Sequence, residues 1–361
     1  ISYRLVGSEM CIRDRAHAQR AALAWFEEVA LEPLGNGHIH QTYLLHSDSS
    51  PQERFVLQKI NGQVYGDIPA LMSQTLGVLK ALSANTRYCA NYRVPELVST
   101  RGGEPFCVIT VNGEHQAWRL WRFVENSMTC DPPTNRQQIR AAAKAFGGYQ
   151  SAIAALDPKD LVETIPGFLN MTHYLSAFDM AVAQSKASEI QVASPWIALV
   201  QRNRQWPKSL LESNAVIHGD CKINNLLFDR LGASVLSVID LDNNMVGHWA
   251  WDFGDLVRSV AFSRGGFDGL DYQACLEGFL QGRGEKFSED NSLVENLVEA
   301  PGFLAFMLGL RFLTDHLSGD RYFKVASHGD NLQRAIEQFE LFAQFQSNQE
   351  IMRIRAQQLL G

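Results

Sequence analysis

No two cysteines in this chain stand in the Cys-x-x-Cys spacing that builds zinc sites or redox pairs. The six cysteines, at positions 11, 89, 107, 130, 221 and 275, are scattered through 361 residues and suggest no disulfide framework either. Reduced thiols in a cytoplasm are therefore expected. No stretch approaches the ~18 consecutive apolar residues of a membrane span. The nearest, Phe303 to Leu310, stops at Arg311 and reads as a buried helix, so no membrane partner is expected. Runs of lysine and arginine are also missing, and a formal charge of -7 with a pI near 5.8 argues against a nucleic-acid partner. Neither an internal repeat nor a low-complexity segment is found. The chain does hold 46% hydrophobic residues, enough at this length for a sizeable core and roughly two domains.

Residues 1–15 show no helical or alternating pattern and lack the apolar core of a secretory signal. They resemble a translated sequencing-adapter read-through and are expected to pack against nothing specific. From Ala16 to Leu31, the spacing of Ala22, Trp25, Phe26, Val29 and Ala30 predicts an amphipathic helix ended by Pro33. A glycine turn at Gly35-Asn36-Gly37 then leads into a strand toward Leu45. A second strand is expected over Arg54–Ile60, a helix over Ile68–Leu82, and a hairpin over Phe106–Val124 turned at Asn112-Gly113. After Glu125 the pattern turns helical, over 136–156, 171–187, 195–212, 251–263, 271–281, 301–317 and about 328–359. The expected fold is thus α+β: a small antiparallel-sheet lobe over 16–124 and a mostly helical lobe over 125–361.

Two strings carry the chemistry: His218-Gly219-Asp220-Cys221-Lys222-Ile223-Asn224-Asn225, and Val238-Ile239-Asp240-Leu241-Asp242 after a short apolar stretch. They supply a carboxylate, a lysine and oxygen-donor metal ligands in the order a phosphoryl-transfer site needs. Asp220 can take a proton from an attacking hydroxyl, with Lys222 beside it. Asn225 and Asp240 offer neutral and anionic oxygen to magnesium, and Asp242, on the same strand face, is a second ligand or an acceptor behind the first. Asp252-Phe253-Gly254 spells a metal-binding tripeptide of protein kinases, yet it opens a helical pattern and reads as an N-cap or loop anchor. Gly35, Asn36 and Gly37 could cover a triphosphate with backbone amides. On the Arg54–Ile60 strand, alternation puts Val56 and Gln58 on one face. Gln58 then stands where kinases usually place a phosphate-binding lysine, so the missing charge must come from metal, Lys222 or an arginine.

Together these residues resemble the aminoglycoside phosphotransferase/choline kinase superfamily, a protein-kinase-like bilobal fold whose catalytic Asp and metal-binding Asn stand five apart, as Asp220 and Asn225 do. Further strings resemble its N-acetylhexosamine 1-kinase branch: Phe55-Val56-Leu57-Gln58, Trp118-Arg119, Glu163-Thr164-Ile165, and Arg311-Phe312-Leu313 with Gly319-Asp320 and Tyr322-Phe323. The resemblance implies transfer of the γ-phosphate of ATP, with Mg2+, to the anomeric hydroxyl of a sugar. It also implies a sugar pocket with Asp220, Arg311, Tyr322, His38 and Asn243, and adenine on main-chain groups of Phe123, Val124 and Glu125. Choline, aminoglycoside or homoserine acceptors are the enzymatic alternatives. A silent nucleotide-binding scaffold is a further one, suggested by Gln58 and opposed by Asp220, Asn225 and Asp240. No activation segment or Ala-Pro-Glu ending follows Asp240, which argues against a protein kinase. Oligomeric state cannot be read from the sequence.

Overall fold

The computed structural model describes residues 14–34, 40–47, 50–213, 215–284 and 292–360. The chain divides into two compact units, one running to Lys80 and resuming over Val94–Asn126, the other formed by Ala81–Arg93 and the chain from Ser127 on. The glycine turn with Gly35, Asn36, Gly37 and His38 lies outside the described residues, as do residues 1–13.

The first unit opens on helix α1 (residues 14–22), so Asp14 and Arg15 already belong to helix. It continues with β1 (Val29–Pro33), β2 (Gln41–Ser47), β3 (Ser50–Lys59) and most of α2 (Ile68–Ala84), then β4 (Leu97–Val98), β5 (Cys107–Val111) and β6 (Glu114–Arg122). The antiparallel order is β1-β2-β3-β6-β4, with β5 also on β6. Alternation sends Tyr43, Leu45, Phe55, Leu57, Trp118 and Leu120 to one face, where they close over Ala18, Ala21 and Ala22 of α1. The expected helix to Leu31 is wrong in its second half. Helix ends at residue 22, and Val29–Pro33 is an edge strand whose Leu31 pairs with Leu45. Trp25 and Phe26 belong to the same core, so the apolar spacing reported burial rather than helical period; Pro33 is tolerated because β1 is an edge. The Asn112-Gly113 hairpin is as expected, with positive φ at both residues (53° and 84°).

The second unit holds α3 (Thr86–Cys89), β7 (Ser127–Met128), α4 (Arg136–Ile153), α5 (Met171–Gln184), α6 (Ala187–Arg202) and α7 (Lys208–Leu211). Four short strands follow: β8 (Ala215–Ile217), β9 (Leu226–Asp229), β10 (Val235–Val238) and β11 (Met245–Gly247). The rest is α8 (Trp249–Ser263), α9 (Gly269–Arg283), α10 (Ser292–Leu317), α11 (Asp330–Ser347) and α12 (Gln349–Leu360). Strands β10-β9-β7 form one sheet, and β11-β8 another.

Two helices begin earlier than expected because each carries a proline inside it. Pro195 cannot bond back to Gln191, and the Ser194 hydroxyl donates to that carbonyl instead, at 2.9 Å. Pro301 likewise leaves the Leu297 carbonyl, which accepts from the buried Tyr272 hydroxyl at 3.3 Å. Helix α10 is long and apolar enough to cross a membrane, but 72% of its apolar window is buried within the unit, as expected of Phe303–Leu310. It packs against α5, α8, α11 and α12. The single helix expected over 328–359 breaks at Asn348, whose N–H caps α11 on the Phe345 carbonyl.

Candidate active site

The segment after β8 is held by its own backbone. The N–H groups of His218 and Gly219 each donate to the Asp252 carboxylate at 3.0 Å. Asp252 is thus a loop anchor, and the N-cap of α8 is His248, whose ring accepts from Ala250 N. Burial pushes the Asp252 carboxyl up, against the opposing pull of His218 and the two amides. Gly219 has φ 77°, and a Cβ there would lie 2.4 Å from the Asn243 carbonyl oxygen, so only glycine closes this turn. The fully buried His218 ring accepts from Asp220 N at 3.3 Å through Nδ1. Its Nε2 then carries the proton and donates to the Ile239 carbonyl at 3.2 Å. Edges of Phe146 and Tyr149 close the ring in.

This framework brings together three of the expected residues. The Asp220 Oδ2 accepts from Lys222 Nζ at 2.9 Å and from Asn225 Nδ2 at 2.9 Å. Burial pushes the Asp220 carboxyl up, but Lys222, with Asn225 beside it, outweighs this and holds it below the usual carboxylate range. For Lys222, burial lowers the ammonium, while Asp220, with Asp255 and Asp240 behind it, raises it on balance. Cys221 is fully buried and its thiol is pushed far up, leaving it inert.

Asn225 spends its amide nitrogen on Asp220, which turns Oδ1 away as an acceptor. The Asn225 backbone carbonyl accepts from Ile239 N at 2.9 Å, fixing the start of the second string next to the first. Asp240 then adopts a left-handed backbone (φ 62°), uncommon for a residue with a side chain, and opens the short helical turn Leu241–Asn243. Carboxylate oxygens of Asp240 and Asp242 come within 4.8 Å of each other. Asp242 is fully buried and Asn243 nearly so. Hard oxygen donors at this spacing suit a divalent cation of the magnesium class.

In the first unit, Val56 and Gln58 share a face as expected. Sequence reasoning left the compensating arginine open; the structure puts Arg119 across from Gln58 in the β3–β6 register. The Gln58 Oε1 accepts from Arg119 Nε at 2.9 Å, Arg119 Nη2 at 2.7 Å and Trp121 Nε1 at 3.2 Å. Arg119 is only 1% exposed, with Met72 of α2 beside it. At Phe123–Glu125, the Phe123 N–H is already spent on the Arg54 carbonyl at 2.9 Å, and the Arg54 guanidinium lies over the Phe123 ring and pairs with Glu125. That N–H is not offered to a ligand.

Arg311 and Tyr322 meet in a pocket of about 340 Å³ in the second unit, lined also by Phe168, Tyr174 and Phe323. The Arg311 guanidinium sits 5.2–5.8 Å from the four ring centroids. Among the described residues it donates no hydrogen bond. Phe168 and Tyr174 were missed by sequence reasoning, since no local pattern marks them. The loop carrying Tyr322 hangs on one side chain: Asp315 accepts from the N–H of Arg321, Tyr322 and Phe323 at 2.9, 2.8 and 2.9 Å, and from Asn331 Nδ2 at 2.8 Å. Asn243 does not line this pocket. The two regions are linked through Thr164, whose hydroxyl donates to the Asp242 carbonyl at 3.4 Å, while the next residue, Ile165, lines the pocket wall.

An antiparallel-sheet unit, a helical unit and a carboxylate–lysine–asparagine loop are the parts of a kinase-like fold. Solved structures agree. A microcompartment-associated aminopropanol kinase matches with a TM-score of 0.63 at 15% identity over 93% of this chain and 98% of its own. An amicoumacin kinase solved with AMP-PNP and Ca2+ matches at 0.59 and 14% over 95% and 93%, and an aminoglycoside phosphotransferase from Alicyclobacillus acidocaldarius at 0.58 and 14% over 94% and 96%. The phosphotransferase enzyme family model matches residues 30–288, and the chain belongs to that family. It is a phosphotransferase.

Proposed function

We propose that this phosphotransferase moves the γ-phosphate of ATP to the anomeric hydroxyl of an N-acetylhexosamine, releasing the sugar 1-phosphate. The observation that carries this reading is the state of Asp220. Lys222 and Asn225 keep it ionised and oriented, so it can accept the proton of an acceptor hydroxyl as the phosphate is transferred. Asn225 Oδ1, Asp240 and Asp242 would hold Mg2+, which when bound neutralises the charge of the transferring phosphate. Lys222, raised by its neighbours, stays cationic beside the acceptor. Nucleotide recognition is assigned to Val56, Gln58 and the Phe123–Glu125 segment. With its oxygen engaged by Arg119 and Trp121, Gln58 turns its NH2 outward, and the guanidinium polarises that amide into a stronger donor. A buried arginine acting through an amide thus stands in for the usual lysine.

For the acceptor, the Arg311 pocket favours a neutral polyol over the amines that the neighbouring kinases' names indicate. Its aromatic faces, which would otherwise attract a cationic acceptor, are occupied by the chain's own guanidinium. The one acidic side chain in the wall, Asp315, is spent on backbone amides. A volume of about 340 Å³ stands at the small end of ligand pockets, as one sugar ring requires. Arg311 keeps donors for hydroxyl and acetamido oxygens, and Tyr322 lines the same pocket. The test is ³¹P NMR of products after incubation with ATP, magnesium and N-acetylglucosamine, N-acetylgalactosamine, ethanolamine or an aminoglycoside. A sugar 1-phosphate signal is expected. Phosphorylation of the amines alone would overturn the acceptor assignment while leaving the phosphotransfer chemistry standing.

A further inference from the structure

Three side chains far apart in sequence meet on the second unit, away from the Asp220 loop: Glu189 on α6, His316 in the last turn of α10, and His328 in the loop before α11. The Nε2 atoms of His316 and His328 both lie 3.3 Å from the same Glu189 oxygen, Oε2. Each of the three ligand atoms is within 4.8 Å of the other two. His328 Nδ1 faces Asp320 Oδ2 at 2.9 Å, and the other Asp320 oxygen accepts from Asn331 Nδ2 at 2.8 Å.

From this geometry we infer that Glu189, His316 and His328 form a site for a divalent metal of the zinc class. Several observations favour it over a plain ion pair. Asp320 sits on the Nδ1 side of His328, which turns the ring's Nε2 toward the Glu189 carboxylate. A carboxylate behind a ligating histidine is also how metal sites fix the ring's tautomer. His316 is 2% exposed, and neither of its ring nitrogens makes a hydrogen bond, although Nε2 is aimed at the Glu189 oxygen. A buried ring nitrogen without a protein partner calls for a water or an ion. A charge-assisted N–H···O bond would close to about 2.7–2.9 Å. A spacing of 3.3 Å matches instead the edge of a tetrahedron with metal–ligand bonds of about 2.0–2.1 Å. The His316 and His328 rings also stack at 5.2 Å between centroids, a contact that two imidazolium ions would resist. His328 is the exposed partner, so its side chain can close the third edge. Two imidazoles and one carboxylate leave a fourth position to water. The metal would tie the loop that carries Tyr322 and Phe323 to α6, whatever the acceptor proves to be.

The test uses the full chain dialysed against a chelator, titrated with Co2+ and read by visible absorption, with Zn2+ as competitor. One equivalent of cobalt should give a band that zinc abolishes. It should persist in Asp240→Asn and weaken at least about 100-fold in affinity in His328→Ala and in Glu189→Gln, since loss even of outer partners costs 10–100-fold. Zinc should raise the melting temperature of the parent and not of those two variants. Because His328 is exposed, its alanine variant should keep the metal-free melting temperature. No cobalt band, or a band of equal affinity in both ligand variants, overturns the site.

Discussion

If Asp252 anchors the loop rather than binding metal, replacing it should cost stability and spare the magnesium requirement. Two backbone amides, of the buried His218 and of Gly219, depend on its carboxylate at 3.0 Å each. A buried donor left unpaired costs about 1–3 kcal/mol, so Asp252→Ala should lose about 2–6 kcal/mol. Burial already pushes this carboxyl up, so removing the charge returns part of that cost, and the lower half of the range is expected. Asp252→Asn keeps one acceptor oxygen and should lose less, about 1–3 kcal/mol. The measurements are the urea midpoint by tryptophan fluorescence and the magnesium dependence of phosphoryl transfer. Both variants should unfold at lower urea, and Asp252→Asn should need magnesium at the parent's concentration. An Asp252→Asn protein with the parent's midpoint and a tenfold higher magnesium requirement would refute this reasoning and make Asp252 the metal ligand.

Asp220→Asn should keep the parent's melting temperature and lose about 10²–10⁴ in kcat, measured by a coupled ADP assay. Asp240→Asn should raise the magnesium needed for half-maximal rate without lowering stability. The Asp220 carboxyl, held below its usual range, stays ionised as pH falls through that range and protonates only below it, so the acid limb of kcat should lie low. Removing the cation with Lys222→Met should move that limb to higher pH; an unmoved limb would separate Lys222 from Asp220. Arg311→Met should raise KM for the N-acetylhexosamine about tenfold or more, the worth of a hydrogen bond from a charged donor, and change kcat less.

The parts of the chain legible in sequence are those where short-range chemistry decides conformation. Asn112-Gly113 requires positive φ at two successive residues, and few arrangements other than a tight hairpin supply it. Asp220, Lys222 and Asn225 lie within six residues, so one loop could bring them together. The failures came where a pattern has two physical causes. Trp25 and Phe26 are buried by the sheet, and a count of apolar spacing cannot separate that from a helix face. Pro195 and Pro301 ordinarily end helices; here Ser194 and Tyr272 take up the orphaned carbonyls, the second from a distant element. Arg119 opposite Gln58, and Phe168 and Tyr174 around Arg311, are products of strand register and helix packing, which no local string encodes.

Asp252 and Asp315 do the same job at different places: each grips a loop by its peptide N–H groups from a helix. The Gly219 turn and the Tyr322 loop therefore have separate fastenings. Residues 319–329 can change length or composition around the Asp315 hook without disturbing the turn at Gly219. If the proposed acceptor pocket is right, a protein built this way can be retooled for a new acceptor by swapping its rim, while the Asp220 loop keeps its bearings.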